Sequence, residues 1–377
     1  MRIALVAGEA SGDLLGAGLI QAIRASIPDA TFEGIAGPAM VDAGCECIEN
    51  AEVLAVMGLI EPLARIPELL RLRRSLVRRW TEDPPDVFVG IDAPDFNLGL
   101  ENRLKSVGIR TVHYVCPSVW AWRQGRVTRI ARAVDKVLCL LPFERSFLTE
   151  HGIDAVFVGH PMADKLPADP DTDAARQAQG LSSKQVVAVL PGSRMSEVSR
   201  LAPVFVAAAA MIEARCPDVE FIAPMVSPEI RQTVQAHLDH SDIRRFTLID
   251  GDSESAISAA DVVMLASGTA ALQTALLGKP MVVAYRLAWL TYAIVQAFNL
   301  VKVPYVSLPN LLTAEPLVPE LIQGEATAAN LSQAVVELLE NPERCADIRV
   351  AFDSLRSDLA RDADARAAAA VIETACR

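Results

Sequence analysis

Two carboxylates stand close together in the segment VGIDAPDFN (89–97), where an apolar run gives way to a helical pattern. The run ends at Asp92, and Asp95 follows after Pro94, whose fixed φ restrains the turn. A carboxylate at the carboxyl end of a strand is well placed to act as a general base. The residues alone leave open the alternative that these carboxylates only cap the next helix.

The second half of the chain contains two glycine turns that suit a diphosphate. LPGSR (190–194) supplies Gly192 and Ser193 ahead of a helical stretch, and Arg194 adds a planar charged group that fits phosphate oxygens. ASGTAALQ (266–273) repeats the plan with small and hydroxyl residues at a helix start, namely Ser267, Gly268 and Thr269. Each turn alone is also compatible with ordinary β–α packing, but the pair favours a nucleotide-diphosphate site.

Two basic stretches interrupt the first half. ARIPELLRLRRSLVRRW (64–80) alternates arginines with apolar residues, as does an amphipathic helix on an anionic bilayer. WRQGRVTRIARAVDK (122–136) follows the aromatic SVWAW (118–122) and could hold an anionic, partly apolar ligand. A solvated helix face is the alternative for both. The uncharged stretch 287–301 is too short to span a bilayer, so we expect a buried core helix or an interfacial contact there.

The elements that must position these residues follow a repeated plan. Short apolar runs alternate with helical segments in both halves, which predicts an α/β protein with two doubly wound parallel sheets and a cleft between them. A stretch rich in Pro and Asp at 160–177 marks the linker. We therefore predict domains at 1–165 and 166–345, with a helical segment at 346–377 that returns to the first domain or is exchanged in a dimer.

Composition excludes several classes of protein. A net charge of −12 over 377 residues argues against a nucleic-acid binder. The seven cysteines include no C-x-x-C pair, and the five histidines show no metal-ligand spacing. We expect a reducing cytosol, no metal and no cofactor.

The motifs together resemble the lipid-A-disaccharide synthase family. AGEASGD, VGIDAPDFN, HYVCPSVWAWR, LPFE, FVGHPMAD, LPGSR, ASGTAALQ and YVSLPN occur in the order typical of that family, from residue 3 to about 325. The resemblance implies the GT-B fold, with two Rossmann-like domains, and a cytoplasmic enzyme peripherally bound to the inner membrane of Gram-negative bacteria.

The resemblance also implies the reaction. UDP-2,3-diacylglucosamine would donate its sugar to the 6-hydroxyl of 2,3-diacylglucosamine 1-phosphate (lipid X), giving lipid A disaccharide 1-phosphate and UDP with inversion. The expected partners are these two substrates and an anionic inner-membrane surface. A homodimer with exchanged C-terminal segments is compatible with the family.

Roles for residues follow from the resemblance. Asp92 is the expected base. The donor side comprises Gly192, Ser193, Arg194, Ser267, Gly268, Thr269, Gln273 and Asn310. The opening loop then belongs to the acceptor side, which comprises Glu9, Ser11, Gly12, Asp13, Asp95, Asn97, Trp120 and Arg123. The expected membrane residues are Arg71, Arg73, Arg74, Arg78, Arg79 and Trp80.

Two positions depart from the family pattern. Gln273 stands where related enzymes usually have Glu for the ribose hydroxyls, which indicates a weaker or rearranged donor contact. Cys116 stands where the family more often has Ser, a mild change if the residue only packs.

Three other functions remain as alternatives. A UDP-sugar 2-epimerase would share the second-half loops but would not need SVWAWR. A nicotinamide-dependent oxidoreductase is disfavoured because AGEASGD lacks the G-x-G-x-x-G spacing. A membrane-surface scaffold would not require Asp92, Arg194 and Asn310.

Overall fold

The structure is a computed structural model that describes residues 1–55, 62–121, 124–288, 292 and 303–377. The chain forms two compact units. Unit 1 comprises Met1–Asp164 together with Leu359–Arg377, and unit 2 comprises Lys165–Asp358.

Unit 1 is built on a sheet of seven parallel strands in the order β3-β2-β1-β4-β5-β6-β7. Its central strands are buried on both faces, as expected of apolar runs covered by crossover helices. The strands are β1 (Arg2–Ala7), β2 (Thr31–Ala36), β3 (Cys45–Asn50), β4 (Val87–Ile91), β5 (Arg110–Tyr114), β6 (Lys136–Cys139) and β7 (Ala155–Phe157).

Helices connect successive strands of this sheet, and one short helix follows the last strand. Short 3₁₀ turns at Ser118–Trp120 and Gln124–Arg126 precede the sixth helix. The helices are α1 (Ala10–Ser26), α2 (Pro38–Asp42), α3 (Glu52–Ala55), α4 (Pro62–Glu82), α5 (Pro94–Ser106), α6 (Val127–Ala133), α7 (Pro142–Glu150) and α8 (Pro161–Lys165).

Unit 2 repeats the design with six parallel strands in the order β10-β9-β8-β11-β12-β13. The strands are β8 (Gln185–Leu190), β9 (Val219–Met225), β10 (Phe246–Asp250), β11 (Val262–Ala266), β12 (Met281–Tyr285) and β13 (Glu320–Ile322). The helices are α9 (Thr172–Ala178), α10 (Met195–Arg215), α11 (Pro228–Leu238), α12 (Ser253–Ala259), α13 (Thr269–Leu276), α14 (Leu308–Leu312), α15 (Ala328–Leu339) and α16 (Pro342–Leu359).

The last helix, α17 (Ala363–Ala375), belongs to unit 1. It packs beside α1, and Ala367, Ala368 and Val371 are buried in the same core as strands β1, β4 and β5. Lys136, almost fully buried at the start of β6, donates to the Glu373 carboxylate of α17 at 2.8 Å.

Each sheet has one point at which the strand order reverses. In unit 1 this point lies between β1 and β4, and in unit 2 it lies between β8 and β11. Ligands of doubly wound sheets bind at the carboxyl ends of the strands at such points. The two predicted parallel sheets are confirmed, and the predicted loops AGEASGD, VGIDAPDFN, LPGSR and ASGT all follow strands at these two positions.

Within the described residues, one helix is long and apolar enough to cross a membrane by composition, namely α10, with a mean hydropathy of 1.4. Val198, Leu201 and Phe205 on this helix are buried in unit 2, where α10 packs beside α15 and α11. This is the packing of a core helix in an α/β unit.

Candidate active site

Asp92 lies in a strained turn between β4 and α5. Its φ is 52° and that of Ala93 is 43°, so two consecutive residues with Cβ atoms adopt the left-handed region. Such conformations cost on the order of 1–3 kcal/mol each and persist only where the surroundings impose them. Asp92 is partly exposed, and no described residue forms a hydrogen bond or ion pair with its carboxylate. The carboxylate is therefore available to accept a proton.

Asn97 holds this turn in place from beneath. Its side chain is fully buried, and Nδ2 lies 2.8 Å from the carbonyl oxygen of Asp92, 3.2 Å from that of Val6 and 3.3 Å from that of Ile91. The backbone N–H of Asp92 donates to the carbonyl of Tyr114 at 2.9 Å. Asn97 was predicted for the acceptor side, but its side chain has no exposed surface and donates to backbone carbonyls, so the structure gives it a role in holding the turn.

The AGEASGD loop lies directly beside the Asp92 turn. Ala7 and Ile91 are paired across the last register position of β1 and β4. A Cβ on Gly8 would lie 2.4 Å from the Cβ of Ala93, so only glycine allows the two turns to approach this closely. Glu9 and Ser11 are exposed at this edge, and Gly12 is buried against Ile91. The loop and the carboxylate thus share one end of the sheet, and the acceptor role of the loop stays a prediction.

Asp13 has a structural role. It is 5% exposed, and its carboxylate accepts hydrogen bonds from the backbone N–H groups of Gly37, Ala39 and Met40 at 2.9, 2.9 and 3.0 Å. These groups form the N-terminus of α2, whose orphan donors need acceptors. The expectation that Asp13 meets a sugar hydroxyl is therefore corrected, since both carboxylate oxygens are engaged inside unit 1.

The aromatic segment after β5 packs on the start of α7. Trp120 Nε1 donates to Glu144 Oε1 at 3.1 Å, and the indole meets the Phe143 ring edge-on at 4.7 Å. Glu144 is buried, and burial raises its pKa to about 7. Arg123, predicted to face the acceptor, lies outside the described residues.

Three buried side chains meet beneath this segment, and the sequence spacing did not predict their contact. The Sγ atoms of Cys116 and Cys139 and a carboxylate oxygen of Glu144 lie within 4.8 Å of one another, all buried. The carboxylate also accepts from the backbone N–H of Leu141, the residue that immediately precedes α7. Cys116 is thus buried beside a thiol and a carboxylate. The three residues follow or end neighbouring strands or begin a helix, so only the fold brings them together.

Asp95 is exposed and contacts two half-buried arginines, Arg73 and Arg126. Arg126 Nη1 lies 3.3 Å from Asp95 Oδ1. Arg73 donates to the carbonyl of Asp95 at 3.0 Å, and its guanidinium lies 4.9 Å from the centre of the Phe96 ring. Arg73 therefore joins α4 to α5, and its contacts lie within unit 1.

The predicted membrane residues divide into two groups. Arg71, Arg74 and Arg78 are exposed on α4. Arg79 instead binds the buried Glu33 through two hydrogen bonds, of 3.1 and 2.6 Å. Trp80 is fully buried, and its indole donates to Glu33 at 2.9 Å. The membrane assignment of Trp80 is wrong because the side chain lies in the core beside Phe88.

The donor loops of unit 2 lie at the ends of neighbouring strands. Leu190 and Leu265 pair across β8 and β11, so LPGSR and ASGT emerge side by side at the point of strand reversal. Gly192 has a φ of 122°, a conformation that favours glycine. Ser193 and Arg194 are exposed, and Arg194 forms an ion pair with Glu197 at 3.5 Å. The start of α10 thus carries a cation on the surface.

The ASGT turn presents the start of α13. Gly268 and Thr269 are exposed, and Ser267 Oγ donates to the carbonyl of Val306 at 3.0 Å. Gln273 lies one turn into the helix and accepts a hydrogen bond from Ser253 Oγ at 3.0 Å through Oε1. The oxygen expected to accept from a ribose therefore already has a donor on α12.

Asn310, which was predicted to reach the donor, is buried in unit 2. The side chain is 2% exposed, and Nδ2 donates to the Val318 carbonyl and to Glu320 Oε1 at 2.9 and 2.8 Å. Its Oδ1 accepts from the backbone N–H groups of Leu317 and Val318. All four hydrogen-bonding positions are satisfied within unit 2, so Asn310 braces the chain before β13 and has no hydrogen-bonding group left over for a donor in this structure.

One further pair was not singled out from the sequence. Glu101 on α5 and His113 on β5 are both fully buried, and Glu101 Oε1 lies 2.7 Å from His113 Nδ1. The available signal was a carboxylate one turn after Asn97 on a predicted helix and a histidine inside an apolar strand.

The similarity to known proteins identifies the family. The family model described as lipid-A-disaccharide synthetase matches residues 3–375. The lipid-A-disaccharide synthase of Alkalilimnicola ehrlichii is 52% identical over 379 residues, covering 100% of this chain and 99% of the relative. That of Hahella chejuensis is 50% identical over 378 residues, covering 99% and 94%.

Solved structures share the fold at low sequence identity. UDP-GlcNAc 2-epimerase from Neisseria meningitidis, bound to UDP-GlcNAc, has a TM-score of 0.65 at 13% identity and covers 99% of both chains. The spinosyn rhamnosyltransferase SpnG, complexed with thymidine diphosphate, has a TM-score of 0.63 at 16% identity and covers 100% of both. These likenesses confirm the GT-B fold. The matches along nearly the whole length establish that the chain belongs to the lipid-A-disaccharide synthase family, the glycosyltransferases of lipid A biosynthesis.

Proposed function

We propose that this chain transfers 2,3-diacylglucosamine from UDP-2,3-diacylglucosamine to the 6-hydroxyl of 2,3-diacylglucosamine 1-phosphate. The product is the β-1,6-linked lipid A disaccharide 1-phosphate, and UDP leaves. Because the donor is α-linked and the product is β-linked, one displacement inverts the anomeric carbon. Such a step requires a base for the hydroxyl proton and stabilisation of the departing diphosphate.

Asp92 supplies the base in this proposal. The observation that carries it is a partly exposed carboxylate at the reversal point of the first sheet, held by a strained turn and without a hydrogen-bond partner among the described residues. The carboxylate accepts the proton of the acceptor hydroxyl as the oxygen attacks. Glu9 and Ser11, exposed on the adjoining loop, orient the acceptor sugar.

Unit 2 holds the UDP diphosphate. Arg194 is exposed beside the start of α10, and the neighbouring ASGT turn adds the start of α13. Backbone N–H groups at helix starts and a guanidinium stabilise the charge that develops on the leaving group. The enzyme acts at the cytoplasmic face of the inner membrane, which α4 contacts through Arg71, Arg74 and Arg78.

Two substitutions separate the two roles. Asp92→Ala lowers the rate of UDP release by roughly 10²–10⁴-fold, the usual contribution of a general base, and leaves UDP binding unchanged. Arg194→Ala weakens UDP binding. Turnover is followed by UDP release, and binding by titration calorimetry with UDP.

Asp29→Ala is the matched control, because Asp29 is an exposed carboxylate of unit 1 between α1 and β2. Wild-type turnover by Asp92→Ala would refute the assignment of the base. Equal rates with acylated and unacylated glucosamine substrates would refute the proposed substrates.

A further inference from the structure

A buried pair of side chains, Glu101 and His113, lies below the Asp92 turn, outside the residues assigned above; it is called the couple below. Glu101 and His113 are 0% exposed, and their contact is 2.7 Å long. Glu101 Oε2 and His113 Nε2 have no hydrogen-bond partner among the described residues. Burial raises the pKa of Glu101, and the neighbouring His113 acts in the opposite direction. Apolar residues of similar size often stabilise a core as well as such a couple does, so stability alone is a weak explanation for it.

The couple joins α5 to β5, the strand paired with β4. His113 on β5 is the cross-strand neighbour of Gly90, two positions before Asp92. A Cβ on Gly90 would lie 2.2 Å from Glu101 Oε1 and 3.0 Å from the Cβ of Asn97. Because Gly90 has no side chain, Glu101 of α5 has room to reach His113 of β5.

The same two elements hold both ends of the Asp92 turn. Asn97, four positions before Glu101 on α5, donates to the Asp92 carbonyl at 2.8 Å. The backbone carbonyl of Tyr114, the residue after His113 on β5, accepts from the Asp92 N–H at 2.9 Å. A shift of α5 against β5 would therefore displace the turn and its carboxylate.

We infer that Glu101 and His113 are positioning residues for Asp92: their buried contact fixes α5 against β5, which keeps the left-handed turn aimed at the acceptor hydroxyl. The inference rests on the proposed role of Asp92 as the base. It assigns no proton transfer to the couple.

The direct test removes the contact and keeps the volume. Glu101→Leu and the double substitution Glu101→Leu/His113→Leu both abolish it, and the second leaves no unpaired buried polar group. We expect kcat for UDP release to fall by roughly 10- to 100-fold, the scale of a small displacement of a reacting group, with KM changed less than twofold. Glu101→Gln keeps an acceptor for His113 and restores most of kcat.

Thr111→Val is the structural control, because Thr111 is a fully buried hydroxyl of β5 that donates to the Ala133 carbonyl at the opposite end of the strand. Thermal unfolding of every variant shows whether it is folded at the assay temperature. A kcat loss no greater than that of Thr111→Val would overturn the inference, as would a loss that appears in KM instead.

A double-mutant cycle distinguishes failure of this inference from failure of the proposed base. If the couple acts only through Asp92, it has nothing left to position once Asp92 is Ala. Adding Glu101→Leu to Asp92→Ala should then lower kcat by less than about twofold, so the two effects are not additive. A further loss equal to that of Glu101→Leu alone would overturn the positioning role and leave the base intact. Wild-type turnover by Asp92→Ala alone would instead refute the base.

Discussion

At the scale of single residues, several polar side chains of unit 1 form hydrogen bonds inside the protein and are not exposed to solvent. Glu144 is the most informative, because it binds both Trp120 and the start of α7 while burial raises its pKa to about 7. The pKa of an unfolded glutamate is about 4.3, so the folded chain binds the extra proton between these values. The contribution of Glu144 to stability is thus present at low pH and is lost as the pH rises through 7.

We predict that Glu144→Gln reduces the loss of stability between pH 5 and pH 8 by roughly 2–3 kcal/mol relative to the native chain. Glutamine is uncharged at both values and keeps an acceptor for Trp120. The measurement is urea unfolding followed by tryptophan fluorescence at the two pH values. Glu150→Gln, exposed at the end of the same helix, is the control. Identical pH dependence of the native and Glu144→Gln chains would contradict the prediction.

At the scale of elements, α4 combines an inner and an outer role. Trp80 and Arg79 bind Glu33 on β2 and tie the helix to the sheet. Arg71, Arg74 and Arg78 recur every three or four residues on its exposed side, a spacing that places them on one helix face. The same helix can therefore be anchored in unit 1 and present positive charge outward.

Replacing these three exposed arginines with Gln should weaken binding to anionic phospholipid vesicles by about 1 kcal/mol per arginine. Binding is measured by vesicle sedimentation at low and high salt, because screening should remove the same contribution. The control replaces three exposed arginines of unit 2: Arg215, Arg344 and Arg349. An equal loss in both triple variants would mean that only net charge matters, and no loss in the α4 variant would exclude this surface.

At the scale of the whole molecule, unit 1 is completed by the end of the chain. Residues before Asp164 and after Leu359 share one core, in which Val371 of α17 is fully buried beside α1 and the central strands. Unit 1 therefore cannot complete its core until the last helix has docked. The physical cause is the apolar face of α17, rich in alanine, which permits close approach to α1.

Val371→Asp should destabilise unit 1 by several kcal/mol, because an unpaired carboxylate enters the apolar core, whereas Val350→Asp should change stability by less than about 0.5 kcal/mol. Val350 is 69% exposed on α16. Thermal unfolding of the full chain reports both, and loss of UDP release should accompany the first substitution alone. Similar unfolding temperatures for the two variants would contradict the role given to α17.

Much of this protein could be predicted from its sequence, because the relevant signals are local. Buried strands read as apolar runs, and glycines mark the turns after them, so the two sheets and the strand-end loops at 7–13, 89–97, 190–194 and 266–273 follow from periodicity and turn chemistry. Asp92 follows too, since its position after an apolar strand places it at the ligand-binding end of a parallel sheet.

Only the tertiary structure decided which polar residues face inward. Asp13 binds backbone groups at least 24 positions away, Trp80 binds Glu33 across 47 positions, and the partner of Glu101 lies on a different element. In the sequence, a polar residue that binds a ligand cannot be told from one that hydrogen-bonds a buried N–H. Hydrogen bonds between distant segments also produce no periodic pattern in the sequence. For that reason Asn97 and Asn310 were predicted as ligand contacts, whereas in the structure their side chains hydrogen-bond the backbone. The contact between Glu101 and His113 could be recognised only from the packing of α5 on β4 and β5.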